Sequence, residues 1–430
     1  MAKQAAVLGV YLLEAGGAPV RVGSLTRDAV GATTFQPDEA WLRDPRRPIL
    51  SLSWHVPTHP SETRARLDYR GDKIGLYGGL PPWFAGLLPE GALRDLVTAE
   101  MGPGDHDPFD LITRLGADLP GAVLVLPDDA KAVPESAGPM HWGRVGDFRA
   151  KVPNGVVKFS LAGVQLKFAA VATGERFTAP ARAGDGRYIL KLASAAYPQL
   201  PEAEFSAMRL AKALGVNTAP CRLVASGALA DVPAQLLVGE TALVVERFDR
   251  TVDERRIHIE DTAQMLGAIN EQKYTKANYE TILKMISRFS TDWRADVLEG
   301  MKRLVVDVLL GNGDNHLKNW SFIFPEPGRI RLSPAYDIVP TVLFTPADTT
   351  LALRFAGVQE SGSIGLHQFR RAASFLQLDP DWIAGEVVTW VREALATWPD
   401  LIIGLPLSDE RKALLVARWS NLRLVAESAR

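Results

Sequence analysis

Cysteine is nearly absent from this chain, which has one such residue, Cys221, among 430 positions. An internal disulfide and a thiolate metal cluster are therefore excluded, and a cytoplasmic setting is favoured. An excess of one charge is also lacking, because 48 Lys and Arg residues oppose 50 Asp and Glu residues. That balance does not indicate a broad nucleic-acid-binding surface. No apolar run approaches the roughly 18 residues that a membrane-spanning helix needs.

The apolar stretch Ala5–Leu13 follows Lys3 and has the length of a signal-peptide core. Its pattern also suits a first β-strand, and we favour the strand because the near absence of cysteine argues against export. The composition, with 47% hydrophobic and 23% charged residues, is that of an ordinary globular protein. At roughly 150 residues per domain, the length predicts two or three domains.

Three regions differ in their patterns. Residues 1–130 predict a β-rich N-terminal subdomain, residues 140–255 a mixed lobe, and residues 256–430 an all-helical C-terminal lobe, so the fold class is α+β. Strands are predicted at Val20–Leu25, Ile49–Trp54, Ala122–Leu126, Val156–Ser160, Lys167–Ala172, Tyr188–Leu192 and Ala242–Phe248. Helices are predicted at Glu202–Leu214, Met301–Leu310 and Trp382–Trp398.

The segment Gly311–Asn319 concentrates an acid, an imidazole, a cation and several amides. It follows an apolar helix and precedes the strand-like Trp320–Phe324, so it is predicted to be a functional loop. Asp314 and Asn319 stand five positions apart, as in the kinase catalytic loop, where Asp accepts a hydroxyl proton and Asn holds Mg²⁺. Taken alone, the segment would also suit an ordinary Asn/Asp turn.

Asp337 lies 23 positions beyond Asp314 and has mostly apolar neighbours. In kinases a second aspartate, placed after a strand–turn excursion, chelates the metal that bridges the phosphates. An unpaired buried carboxylate is costly, and a metal ligand would relieve that cost. Taken alone, Asp337 would equally suit a buried side chain that caps a backbone turn.

The predicted strand Tyr188–Leu192 contains a lysine, Lys191, in an otherwise apolar run. Kinases use such a strand lysine to pair the nucleotide phosphates. A buried lysine needs a partner. Glu202 and Glu204 in the next helix are candidates, and we favour Glu204 from its helical register. The alternative is an edge-strand lysine that points to solvent.

Two further segments lie at the chain positions that a phosphate loop and a hinge occupy in kinases. Ser160–Lys167 lies between predicted strands, where backbone N–H groups could cover phosphates, although a hairpin turn is the simpler alternative. Val244–Arg250 ends a strand at the place of the kinase hinge, which reads adenine through backbone groups. Phosphate loop, strand lysine, helix glutamate, hinge, Asp…Asn loop and second Asp follow one another in kinase order. This order predicts a protein-kinase-like two-lobe fold.

These segments resemble the HipA family, the serine/threonine kinase toxins of bacterial HipBA toxin–antitoxin modules. The resemblance rests on Ser160–Lys167, Ile189–Lys191, Val245–Arg250, Gly313–Asn319 and Tyr336–Asp337. In addition, Leu80–Phe84 and Gly86–Gly91 are similar to the N-terminal domain of the family. One departure is Leu166, because the family often has Glu before the loop lysine.

The resemblance implies roles for the matched residues. Asp314 would be the general base, Asn319 and Asp337 would hold Mg²⁺, and Lys191 would bind the phosphates of ATP. His316 would brace the catalytic loop, and Lys318 would touch the transferred phosphate. The remaining nucleotide-binding set would be Ser160, Ala162, Gly163, Val164, Gln165, Lys167, Glu204, Glu246, Arg247, Phe248 and Tyr336.

Regulation and partners are implied in the same way. Ser160 matches a serine that family members phosphorylate on themselves, which ejects the loop and silences the kinase. Glu246 and Phe248 would contact adenine through the main chain. The family substrates are aminoacyl-tRNA synthetases, often the glutamyl enzyme, and their phosphorylation slows growth and promotes persistence. The antitoxin would be a small HipB-like helix-turn-helix protein, through which DNA would mainly be contacted.

Three alternatives remain open from the sequence. A small-molecule phosphotransferase would share the Asp…Asn…Asp pattern but lack the β-rich N-terminal subdomain and the Ser160 loop. A degenerate kinase that serves as a co-repressor would bind ATP without turnover, although the intact Lys191, Asp314 and Asp337 argue against it. A metal-dependent hydrolase built on His316 is disfavoured, because one loop histidine makes a poor transition-metal site.

Overall fold

A computed structural model describes most of the chain. The described residues are 4–13, 18–75, 78–128, 166–174, 176–178, 186–197, 199–230, 232–253, 255–345 and 348–429. Six residues of the predicted phosphate loop, Ser160–Gln165, lie outside this part of the chain, and they include the candidate site residues Ser160, Ala162, Gly163, Val164 and Gln165. Among the described helices, none is both long and apolar enough to cross a membrane.

The N-terminal region is built on an antiparallel sheet with strand order β4-β3-β2-β1-β5. Its strands are β1 Ala6–Leu13, β2 Pro19–Arg27, β3 Thr33–Pro37, β4 Ile74–Gly75 and β5 Val123–Pro127. Leu8, Val10 and Leu12 alternate along β1 and are buried, as a half-covered strand requires. The strand predicted at Ala5–Leu13 is therefore confirmed.

Short helices cover this sheet. They are α1 Glu39–Arg43, α2 Pro60–Asp68, α3 Pro82–Ala85, α4 Gly91–Glu100 and α5 Pro108–Leu115. Proline begins α2, α3 and α5, where its missing N–H costs nothing. The strand predicted at Ile49–Trp54 is wrong, because Leu52–Trp54 forms a single 3₁₀ turn that Ser51 caps. Turn-capping by Ser51 thus overrides the apolar strand pattern.

The middle region contains a sheet with strand order β10-β7-β6-β8-β11-β9 and one long helix, α6 Leu200–Ala213. Its strands are β6 Lys167–Thr173, β7 Arg176–Thr178, β8 Tyr188–Lys191, β9 Cys221–Ala225, β10 Leu229–Ala230 and β11 Thr241–Glu246. Antiparallel pairing of β8 with β6 and β11 sets Lys191 opposite Lys167 and Leu243. The strands predicted from Lys167 onward and the helix are confirmed, with the hinge strand ending at Glu246. The strand predicted at Val156–Ser160 lies outside the described residues.

The C-terminal region is mainly helical. Its helices are α7 Thr262–Leu266, α8 Tyr279–Phe289, α9 Trp293–Leu310, α10 Leu366–Phe375, α11 Pro380–Ile403, α12 Asp409–Arg418 and α13 Arg423–Ser428. The prediction of an all-helical lobe is wrong, because short strands lie among these helices. They are β12 His258–Asp261, β13 Ser321–Glu326, β14 Arg329–Leu332, β15 Thr350–Phe355 and β16 Val358–Glu360. Such short strands carry little period-2 signal beside long helical periodicity.

Helix α9 leads directly into the predicted catalytic loop and fixes where it begins. Leu304, Val305, Val308 and Leu309 on this helix are fully buried, so its final turns run through the core. Gly311 ends the helix at φ 71°, and its N–H donates to the Asp307 carbonyl at 2.8 Å. A left-handed residue of this kind is favourable only for glycine. The loop therefore leaves a rigid helix in a fixed direction.

Buried polar contacts join the N-terminal region to the rest of the molecule. The Asp249 carboxylate accepts the Gly121 N–H at 2.8 Å, and Arg250 donates to the carbonyls of Gly121 and Leu119. The carboxyl group of Glu260, on β12, is also fully buried and accepts from the Ser51 hydroxyl, the Leu52 N–H and the Trp83 indole N–H.

The environment of Glu260 predicts a pH dependence of stability. Burial raises the pKa of this carboxyl to about 7 from its ordinary 4.5. The folded chain therefore retains a proton that the unfolded chain loses between these two values. The contribution of Glu260 to the free energy of unfolding accordingly falls as pH rises from about 4.5 to about 7.

We expect Glu260→Gln to reduce that slope, by up to about 1.4 kcal/mol per pH unit, since one titrating group is removed. Denaturant unfolding between pH 4.5 and 8 measures it. The matched control is Glu271→Gln, because Glu271 is exposed, and its slope should equal that of the wild type. An unchanged slope in Glu260→Gln would refute the assignment.

Candidate active site

Lys191 lies at the centre of a buried ion cluster. Its ammonium group pairs with the carboxylates of both Glu204, on α6, and Asp337. The Lys191 and Glu204 side chains are 3% and 1% exposed. Burial disfavours the charged ammonium, but the two carboxylates outweigh burial and raise the pKa of Lys191 above its ordinary value. The prediction of an inward-pointing lysine is therefore confirmed, and of the two glutamates considered, Glu204 is the one that pairs with it.

Asp337 is held ionised at a strained position. Its backbone has φ 54°, a conformation that non-glycine residues rarely adopt and that clusters at functional sites. Its second oxygen accepts from Lys167 at 2.6 Å. Burial opposes ionisation, but the ammonium groups of Lys167 and Lys191 hold the pKa of Asp337 well below its usual range.

Asp314 is a buried carboxylate with the opposite pKa shift. It is 4% exposed, and the Tyr274 hydroxyl donates to its Oδ1 at 2.6 Å. Burial raises the pKa of Asp314 to about 7, although the Tyr274 hydrogen bond and the nearby Lys273 and Lys167 ammonium groups act to lower it. Two neighbouring carboxylates with divergent pKa values are typical of acid–base chemistry.

The conformation of the Asp314 loop depends on amide contacts. The Asn319 side-chain amide donates to the Asp314 carbonyl at 2.9 Å, which closes the loop across its five-residue span. Beneath the loop, Asp307 accepts from the side-chain amides of Asn312 and Asn315 at 2.8 and 2.5 Å. Burial raises the pKa of Asp307 to about 7. Asp307 is therefore a supporting residue of the loop.

His316 and Lys318 occupy different environments within the loop. The imidazole of His316 is 3% exposed and contacts the Tyr274 ring edge-on, with centroids 5.0 Å apart. Burial lowers the pKa of His316 to about 3, so the ring is neutral. Lys318 pairs with Glu90 at 2.9 Å, and Glu90 also pairs with Lys273 at 2.6 Å. No trio of His, Cys, Asp and Glu side chains within the described residues is arranged to hold a metal ion.

The predicted hinge is fixed by side-chain ion pairs. Glu246 pairs with Arg187, and the Arg247 guanidinium makes two hydrogen bonds of 2.8 Å to Asp249. The N–H groups of Glu246 and Arg247 donate to the carbonyls of Pro220 and Arg187. The ring of Phe248 lies 5.5 Å from that of Tyr336. These two rings connect the hinge to the segment that carries Asp337.

Several of the described candidate residues are brought together around Asp337. Lys167, Lys191, Glu204 and Asp337 are in direct contact, and both Lys167 and Asp337 lie close enough to Asp314 to influence its pKa. Sequence analysis missed four residues of the site, Glu90, Lys273, Tyr274 and Asp307. A lone acid in the apolar stretch Leu304–Leu310 was the available signal for Asp307. Glu90 lies in Gly86–Gly91, whose resemblance to the family's N-terminal domain gave it no role in the site. Lys273 and Tyr274 are brought in by tertiary packing and leave no local pattern.

The architecture and the ion cluster define a protein-kinase-like two-lobe protein. Residues 17–126 match the HipA N-terminal domain family, and residues 159–398 match the HipA-like C-terminal domain family. The chain therefore belongs to the HipA family, whose members include serine/threonine kinase toxins of toxin–antitoxin systems.

Individual relatives span nearly the whole chain. Protein Y4dM of Sinorhizobium fredii is 36% identical over 415 residues, which cover 95% of this chain and 96% of the relative. The serine/threonine-protein kinase toxin HipA of Shewanella oneidensis is 26% identical over 378 residues, or 81% of this chain and 83% of the relative. A solved Shewanella oneidensis complex of HipA, HipB and operator DNA aligns with a TM-score of 0.72 at 23% identity, covering 98% and 97% of the two chains.

Proposed function

We propose that this chain is an ATP- and Mg²⁺-dependent serine/threonine protein kinase that modifies a protein of translation. The main support is the contact of Lys191 with Glu204 and Asp337, near enough to Asp314 for Asp337 to influence its pKa. The pKa of Asp314 is raised, whereas that of Asp337 is lowered. Phosphoryl transfer requires positioning and charge neutralisation more than covalent chemistry. This ion cluster offers both.

The residues present fit a magnesium ion. Asn319 and Asp337 would hold it, because they offer carboxamide and carboxylate oxygens and Asp337 is held ionised. When bound, Mg²⁺ supplies charge neutralisation on the phosphates. Lys191 and Lys167 would bring ammonium groups to the same phosphates. At the hinge, the Glu246 carbonyl and the Phe248 amide would contact adenine, because the Glu246 amide is already bonded.

Asp314 would act on the acceptor hydroxyl. The Tyr274 hydroxyl holds Oδ1, so that Oδ2 would accept the proton of a Ser or Thr hydroxyl. A pKa of about 7 suits this task, since a general base works best near the operating pH. His316 is neutral and buried, and we assign it the bracing of the loop. Lys318 would contact the transferred phosphate.

The family membership supports finer proposals about the substrate and its regulation. We propose an aminoacyl-tRNA synthetase as substrate, the glutamyl enzyme first, so that transfer in the cytoplasm slows growth and promotes persistence. Ser160 would be the site of silencing autophosphorylation. A HipB-like antitoxin is the proposed partner, because the structural relative from Shewanella oneidensis is a complex with HipB and operator DNA.

Transfer of radiolabel from [γ-³²P]ATP to a panel of purified aminoacyl-tRNA synthetases tests the proposal. Label on a synthetase, with later label on Ser160 by mass spectrometry, is the expected result. A parallel panel of aminoglycosides and choline provides the control for acceptor class. Label confined to those small molecules, or ATP binding without any transfer, would overturn the proposed protein kinase.

Glu204→Gln should lower kcat/KM for transfer about 10-fold, mainly through a higher KM for MgATP. The amide keeps a hydrogen-bonding group beside Lys191 but removes the charge that fixes the ammonium. The matched control is Glu393→Gln, an exposed residue of α11. Initial rates over a range of MgATP concentrations measure the effect, and a wild-type KM in Glu204→Gln would contradict it.

A further inference from the structure

A carboxylate from the N-terminal region reaches the catalytic loop. Glu90 precedes α4 and is followed by Gly91, which turns the chain at φ 53°. The preceding helix α3 packs on α7, and Gly86 lies so close to α7 that an added Cβ would stand 2.6 Å from Gln264 Cγ. The Trp83 indole anchors the same segment through its bond to Glu260. These contacts fix the position of the turn that carries Glu90.

Glu90 uses both of its oxygens on lysines that flank Asp314. Oε1 lies 2.9 Å from the Lys318 ammonium, and Oε2 lies 2.6 Å from the Lys273 ammonium. Lys273 immediately precedes Tyr274, whose hydroxyl holds Asp314, and Lys318 immediately precedes Asn319, whose amide closes the loop. One carboxylate therefore connects both sides of the candidate base.

This arrangement differs from an ordinary surface salt bridge. The Lys273 side chain is 3% exposed and the Glu90 side chain 29% exposed, so the pair is shielded from water. Burial opposes ionisation of Glu90, but Lys318 and Lys273 lower its pKa to about 2. Without Glu90, two ammonium groups would face each other with no shared counterion, and like charges at short range repel.

We propose that Glu90 is a positioning residue for phosphoryl transfer, which holds Lys318 and the Lys273–Tyr274 pair in place around Asp314. The proposal rests on the proposed kinase function. It makes the N-terminal region a contributor to the active site, in which Glu90 acts through the lysines and does not touch the reacting atoms. Sequence reasoning assigned no role to Glu90.

The first test is a double-mutant cycle on kcat. Glu90→Gln should lower kcat about 10- to 30-fold with less than a 3-fold change in KM for MgATP, and Glu90→Asp should restore at least part of the rate. In a Lys318→Met background, Glu90→Gln should lower kcat by a smaller factor than in the wild type, because the route through Lys318 is already lost and only the route through Lys273 remains. An equal fold-reduction of kcat by Glu90→Gln in both backgrounds would refute action through Lys318.

The second test does not depend on activity. Limited acetylation with sulfo-N-hydroxysuccinimide acetate, followed by mass spectrometry, compares the reactivity of Lys318 and Lys273 in the wild type and in Glu90→Gln. Release from the carboxylate should raise labelling of Lys318 at least 3-fold. Glu62→Gln is the control, because Glu62 pairs with Arg66 at the exposed surface, and it should change neither labelling nor rate.

The outcomes separate this proposal from the kinase function. No transfer by the wild-type chain to any acceptor would refute the kinase function and the positioning role together. Wild-type kcat in Glu90→Gln, with transfer intact, would refute the positioning role alone. Unchanged labelling of Lys318 in Glu90→Gln would refute the contact itself. Equal melting temperatures of the variants would exclude unfolding as the cause of a lower rate.

Discussion

Replacing Asp314 by Asn is expected to lower ATP-dependent phosphoryl transfer by about 10³-fold. General-base catalysis contributes roughly 10²- to 10⁴-fold, and an amide cannot take the proton of an acceptor hydroxyl. Asn is similar in shape and size to Asp and can still accept the Tyr274 hydrogen bond. The loss should therefore fall on kcat, with KM for MgATP little changed. Initial rates with [γ-³²P]ATP and the labelled synthetase measure it.

The same variant should not be less stable than the wild type. Burial raises the pKa of Asp314, so the ionised carboxylate lowers the free energy of unfolding above pH 7. A neutral amide does not carry this desolvation cost. Its melting temperature should equal or exceed that of the wild type at pH 8. The control is Asp400→Asn, at an exposed position, which should leave both rate and melting unchanged. If Asp314→Asn had the kcat of the wild type, Asp314 would not be the general base.

Gly311→Ala is expected to destabilise the fold by about 3 kcal/mol. An alanine at φ 71° is strained by roughly 1 kcal/mol. Its Cβ would also stand 1.9 Å from Val342 Cγ1 and 2.9 Å from Arg418 Cζ. Overpacking of this kind costs about 1–3 kcal/mol. Arg418 cannot yield easily, because its guanidinium donates to the Val308 and Leu309 carbonyls at the end of α9.

Chemical denaturation measures the change in the free energy of unfolding, and Gly385→Ala is the matched control. Gly385 is an exposed position within α11, and nothing lies within 4 Å of an added Cβ. Alanine there should stabilise the protein by about 0.5–1 kcal/mol, because glycine is a poor helix former. The two substitutions should thus have opposite signs. A Gly311→Ala variant as stable as the wild type would show that this helix end tolerates a side chain.

The fold and the centre of the site were predictable where local sequence carries the signal. The strand with Lys191, the helix with Glu204 and the end of α9 follow from periodicity and from the glycine that ends the helix. The order of the kinase-like segments predicted the two-lobe arrangement, and the family match confirms it.

The remaining features depend on contacts between distant segments. Glu90 stands 228 positions from Lys318, and Tyr274 stands 40 positions from Asp314, so no local pattern could reveal these two contacts. The strand-like Trp320–Phe324 corresponds to β13, but its pairing with β12 was not predicted, because helices α7, α8 and α9 separate the two strands in the chain. The strand predicted at Ile49–Trp54 failed because Ser51 and Leu52 bond to Glu260 across the interface.

The polar contacts of Asp249, Arg250 and Glu260 have a consequence for the stability of the kinase-like part. Each of these groups is satisfied by backbone or side-chain partners that come from the first 121 residues. A kinase-like part prepared without those residues would lose these partners, and groups that are buried in the full chain would face water. The kinase-like part is therefore expected to be less stable alone than in the full chain.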